Sequence, residues 1–102
     1  MWTVKKVPPF KAPLDGKVEA SILDLLTVFS SPSEDDRFKY DEDGEVEISI
    51  QWFLKFERDT GEVCYANVHR LFNRDPKTGV HQWRVNGDEN ATKMVRQFLE
   101  GL

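Results

Sequence analysis

The sequence predicts an α+β domain in which a three-stranded antiparallel meander carries two amphipathic helices on one face, with room for a fourth, N-terminal edge strand. The expected order is (β)-α-β-β-β-α. Three observations carry it. In EVEISIQWFLKFE (45–57), Val46, Ile48, Ile50, Trp52, Leu54 and Phe56 fall on every second position, the period of a strand with one buried face, and Phe53 is the residue out of step. Two glycine-ended turns then follow at hairpin spacing. On either side of this block the apolar period lengthens to three and four residues, which is helical.

In chain order, WTVKKV (2–7) alternates weakly and reads as a short edge strand, after which Pro8, Pro9 and Pro13 make residues 1–14 a proline-rich arm of extended backbone. From Asp15, the spacing of Val18, Ile22, Leu25, Leu26 and Phe29 predicts the first helix, with Asp15 as its N-cap and Pro32 closing it. Residues 31–44, SPSEDDRFKYDEDG, read as an acidic loop. Arg58 to Glu62 suit a three-residue hairpin loop with Gly61 in the left-handed position. Counting back from it puts Phe56 opposite Cys64, Leu54 opposite Ala66, Trp52 opposite Val68, Ile50 opposite Arg70 and Ile48 opposite Phe72. Asp75 to Gly79 suit a four-residue loop, which would set Trp83 opposite Phe72 and Val85 opposite Arg70. Asn86 and Gly87 are read as a turn and Asp88 as a cap. Ala91, Met94, Val95, Phe98 and Leu102 then recur at helical spacing, with Gly101 as the stop.

With 102 residues, 39% of them hydrophobic and 12% aromatic, the chain fits one globular domain spanning 1–102. No apolar run approaches the roughly 18 residues of a membrane span, and MWTVKKVPPF lacks the apolar core of a signal peptide. A cytoplasmic protein is expected, or one inside a host cell if the chain is viral. Cys64 is the single cysteine, which agrees with a reducing compartment. Charge is unevenly spread: between Glu34 and Glu47 eight acids face two bases, a balance of −6 in a chain of net charge −4, leaving +2 elsewhere.

Two surfaces stand out. The acidic segment offers Glu34, Asp35, Asp36, Asp41, Glu42 and Asp43 to a basic partner, although the same charges also protect a strand edge from aggregation. The outer sheet face, opposite the helices, would show Gln51, Phe53, Lys55, Tyr65, Asn67, His69, Leu71 and Arg84. With Val63 and Val80 beside Phe53, Tyr65 and Leu71, much of that face is apolar, so it is expected either to lie beneath the arm, through Trp2 and Phe10, or to meet a partner or a second copy. Aligning Asp41, Asp43 and Gly44 to a calcium loop puts Lys39 and Ile50 at ligand positions, which argues against calcium.

Catalytic patterns are weak. His69 and His81 are expected on opposite faces, Cys64 faces the core, and neither a phosphate loop, a paired-cysteine motif nor a serine elbow is present. No enzyme activity, cofactor or metal is expected. Helix, three strands, helix is also the element order of double-stranded RNA-binding domains, but Asp88, Glu89, Asn90, Ala91, Thr92 and Lys93 stand where those domains carry a lysine-rich phosphate clamp. The resemblance ends at the order, and no family is assigned. The sequence therefore points to a small non-enzymatic macromolecule-binding protein. The expected partner is another protein or a second copy, as for a stoichiometric inhibitor, an immunity-type or viral accessory protein, or a small subunit. The alternative is RNA or single-stranded nucleic acid, with Phe53, Tyr65 and His69 stacking bases while Lys55, Arg70 and Arg84 meet phosphates.

Overall fold

The computed structural model describes residues 1–40, 46–73 and 79–101, with backbone pairing alone for 34–40 and 46–47. In chain order the elements are β1 (Trp2–Lys6), β2 (Leu14–Ser21), α1 (Ile22–Phe29), β3 (Glu34–Tyr40), β4 (Val46–Arg58), β5 (Val63–Phe72), β6 (Val80–Gly87) and α2 (Ala91–Glu100). The strands form one antiparallel sheet five positions wide: β1 and β3 share the place beside β4, and β5, β6 and β2 follow. The architecture is α+β, with more strands than the meander alone.

The long alternating stretch is the 13-residue β4, and its pairing with β5 follows the count from the turn at all five of the positions named above. Gly61 has φ +92°, and the Arg58 amide donates to the Glu62 carbonyl at 2.9 Å, closing the loop. WTVKK pairs with residues 54–58 of β4 as the edge strand expected. Against β6 the count is out by two residues, since Val85 lies opposite Val68 and not Arg70. An even offset preserves the face, so Trp83 and Val85 still point at Trp52, with the Trp52 and Trp83 rings 5.6 Å apart. The turn itself, Asp75 to Thr78, lies outside the described residues, and Gly79 has φ +96°.

Three expectations need correction. The predicted first helix is a helix only from Ile22: residues 14–21 form β2 on β6, because Gly16, Val18 and Ala20 alternate with Lys17 and Glu19 and so satisfy a strand as well as a helix. Ser21, not Asp15, caps α1, accepting from the Asp24 amide at 3.1 Å, whereas Asp15 accepts from the Thr92 amide at 2.9 Å in the first turn of α2. Glu34–Tyr40 is not loop but strand β3, paired with the N-terminal half of β4. β1 reaches only residues 54–58, so the remaining β4 edge needs backbone partners that β3 supplies. Finally, Asn86 and Gly87 belong to β6, and Asp88 accepts from the Tyr65 amide at 2.9 Å and caps no helix through its side chain.

Both helices lie on the face of Trp52, where Leu25, Phe29, Met94 and Val95 join one cluster with the inward residues of β4, β5, β6 and β2. Phe98 and Phe29 close one end over Phe56, at 5.0 and 6.1 Å between ring centroids. No helix among the described residues is long and apolar enough to cross a membrane.

Cys64 lies in this core at 6% exposure, and burial, with lesser contributions from Asp88 and Asp15, pushes its thiol up to about 11 from 9.0. The native chain holds the proton that the unfolded chain releases above 9.0. The contribution of Cys64 to stability is thus fully present below that pH and is lost as pH rises towards about 11. Urea titrations across this interval should show the wild type losing stability relative to Cys64→Ala. Parallel curves for the two proteins would contradict the burial of the thiol.

Candidate functional site

The outer face is divided. Past β1 the arm turns across the sheet, held by the Val7 amide on the Phe53 carbonyl (3.0 Å), the Asn86 side-chain amide on the Ala12 carbonyl (2.9 Å) and the Gly87 amide on the Pro13 carbonyl (2.9 Å). Proline keeps this segment extended and removes donors that would otherwise need partners. Phe10 then sits edge-on to both Phe53 and Tyr65, with ring centroids at 5.4 and 5.6 Å. Phe53 is left 6% exposed. The residue that broke the alternation of β4 is therefore a second, smaller core beneath the arm. Trp2, the other aromatic of the N-terminal segment, packs instead against the main core, with the Arg58 guanidinium 5.5 Å from its ring centroid.

This covering changes what four of the sequence candidates offer. Phe53 is buried and Tyr65 is half-buried beside Phe10, so the pair does not form an open stacking platform. Lys55 packs over Tyr65 at 5.9 Å and approaches Glu57 at 4.0 Å. Asn67 donates to Gln51 Oε1 at 3.2 Å and to the Trp52 carbonyl at 3.0 Å. Phe10→Ala should cost about 2 kcal/mol, from one partly buried ring and two edge-on contacts. A urea midpoint unchanged by this substitution would mean that the arm does not seal the face.

The other half of the face stays open, and the registers line its residues up. Gln51 lies opposite His69, His69 opposite Arg84, and Arg84 opposite Lys17, so one row crosses four strands. Directly opposed residues in antiparallel strands share a face and touch. Around this row is a cavity of about 360 Å³ lined by Lys17, His69, Arg70, Leu71, Gln82 and Arg84. No carboxylate among the described residues lines it. Glu19, opposite Gln82, sits next along β2. Leu71 is 60% exposed, and Val80, further along β6, is 67% exposed.

The cavity is held in place by the sheet. His69 Nε2 lies 2.7 Å from Asn86 Oδ1, and Asn86 is itself bonded to the arm. Arg70 occupies the inward position opposite Ile50, its guanidinium 4.9 Å from the Phe72 ring centroid, and donates to the Gln82 carbonyl at 2.7 Å. His81 lies on the other face, its ring 5.0 Å from that of Phe72. The histidines are therefore separated by the sheet. Among the described residues no group of three metal-ligating side chains forms.

Of the acidic candidates, Glu34, Asp35 and Asp36 open β3 opposite Gln51, Ile50 and Ser49. Asp41, Glu42 and Asp43 lie outside the described residues. His69, Leu71 and Arg84 are brought together with Arg70, which was read only as a phosphate contact, and the residues missed are Lys17 and Gln82. The strand alternation of Lys17 and Glu19 against Gly16, Val18 and Ala20 was the signal that could have found Lys17. Comparison with protein-family models, with curated proteins and with solved structures returned no match.

Proposed function

We propose that this chain is a non-enzymatic protein-binding module that docks its partner on the open half of the outer sheet face. The observation that carries the reading is the division of that face: the arm covers Phe53 and Tyr65 but leaves Leu71 and Val80 exposed beside the Lys17, Arg70 and Arg84 cavity. Exposed aliphatic side chains among fixed polar groups on a rigid sheet suit a protein surface. Groups that acid-base or nucleophilic chemistry would use are otherwise engaged, since His69 is bonded to Asn86, His81 packs on Phe72, and the Cys64 thiol is buried with its proton held. Stoichiometric inhibition and assembly as a small subunit are the two modes of action that such a surface serves.

Affinity capture tests this. Immobilised wild type and Lys11→Glu, a change on the arm, should retain the same proteins, and Leu71→Asp should lose them. Retention that survives Leu71→Asp but fails when Glu34, Asp35 and Asp36 are neutralised would move the docking site to the acidic edge strand. A second reading, nucleic-acid binding, is favoured by Lys17 and Arg84 at the cavity, which could meet phosphates. Against it, two of the three rings that would stack bases, Phe53 and Tyr65, lie beneath or beside Phe10.

A further inference from the structure

We infer that the occupant of the open half-face is an extended acidic segment of a partner protein, carrying at least two carboxylates and an aliphatic side chain, and this rests on the docking reading above. Lys17 and Arg84 stand in one row with His69 on the outer face, and no carboxylate among the described residues lines the cavity around them. Glu34 stands at the far end of the same cross-sheet row, opposite Gln51, and Lys17 stands four strands away. At about 4.8 Å per strand the backbone of Glu34 is roughly 19 Å from that of Lys17 and roughly 10 Å from that of His69.

The dimensions suit an extended chain. From His69 to Lys17 is two strand steps, about 10 Å, which some three extended residues span at about 3.3 Å each. Side chains at alternate positions of such a segment point the same way, about 7 Å apart, so two carboxylates can meet the cationic row together. Arg84 presents planar donors suited to a carboxylate, and Lys17, opposite it, adds a point charge for a second. Leu71, 60% exposed at the margin of the cavity, gives the aliphatic side chain its contact. Phosphate-backbone ligands find the cations, but of the three rings read as base-stacking His69 alone lines the cavity, and it is bonded to Asn86. Acidic peptide is therefore the better match.

The test is fluorescence anisotropy with three labelled probes at about 0.15 M salt: a decapeptide alternating Glu with Ser and Leu, the same peptide with Gln for Glu, and a single-stranded oligonucleotide of equal charge. The acidic peptide should bind the wild type, and Lys11→Glu should leave its affinity unchanged. Arg84→Glu and Lys17→Glu should each weaken it about tenfold or more, and the Gln peptide should not bind. Equal unfolding midpoints for wild type and variants would show that the fold is intact. Where a variant does unfold, raising salt on the wild type gives the same information, because binding through these cations must weaken. Tighter binding of the oligonucleotide, peptide binding indifferent to Arg84→Glu, or no peptide binding at all would each overturn the proposal. If no acidic peptide binds but capture of proteins still depends on Leu71, the docking reading stands and only the chemistry assigned to the partner falls.

Discussion

Gly87→Ala is expected to lower stability by about 3 kcal/mol or more, through overpacking against groups that cannot move aside. Gly87 closes β6 opposite Ala66, donating to the Pro13 carbonyl at 2.9 Å. A methyl group there would collide with the Tyr65 carbonyl oxygen and come within 2.8 Å of Ala91 Cβ and 3.1 Å of Ala66 Cα. The clash involves sheet backbone and the first residue of α2, so relief requires moving the helix, the arm or β5. Gly61→Ala is the useful contrast, since no atom lies within 4 Å of an added methyl and the cost comes from φ +92° alone. About 1 to 2 kcal/mol is expected there. Urea unfolding of both variants separates close approach from backbone conformation. Equal losses would mean that β6 does not meet α2 as closely as the structure has it.

Trp83→Ala should be the most damaging single core truncation, at about 4 to 5 kcal/mol, because a fully buried indole leaves a large cavity. Trp83 contacts the rings of Trp52 and Phe72, each at 5.6 Å between centroids, and its Nε1 donates to the Ala20 carbonyl at 3.0 Å. Trp83→Phe keeps much of the packing and removes the hydrogen bond, so about 1 to 3 kcal/mol is expected. Small domains have only about 5 to 15 kcal/mol of stability, so the Ala variant should unfold at low urea or fail to fold. A chemical-denaturation series in which Phe and Ala cost the same would shift the weight from the ring to the hydrogen bond.

How much of this was legible in the sequence depended on how local the deciding interaction was. The β4–β5 register could be counted because Gly61 sets the loop and the alternation of both strands agrees with it. The offset at β6 was invisible because proline and glycine in Asp75–Gly79 fit more than one loop length. β2 was misread because residues 16–20 alternate as a strand while Val18 also fits the helical spacing that runs on to Phe29. What decides between them is pairing with β6, far away in sequence, where Ser21 meets Val80 and Leu14 meets Asn86. The transfer of Asp15 from one helix to the other follows from the same long-range placement. β3 was hidden by its composition, since an acidic run suits loops until a long neighbour offers an unpaired edge. The covered half of the outer face was signalled by Phe53 and Phe10, whereas the open cavity needed Lys17, whose role depended on recognising β2.

The division of the outer face by the arm is the claim from which the docking site follows, and hydroxyl-radical footprinting of the wild type and Phe10→Ala tests it most directly. With each rate taken relative to the unfolded chain, the wild type should show Leu71 labelled readily and Phe53 protected. In Phe10→Ala, labelling of Phe53 and Tyr65 should rise while that of Leu71 stays the same. Phe53 labelled in the wild type as readily as Leu71 would contradict the account, and would return the aromatic half of the face to the surface available for binding.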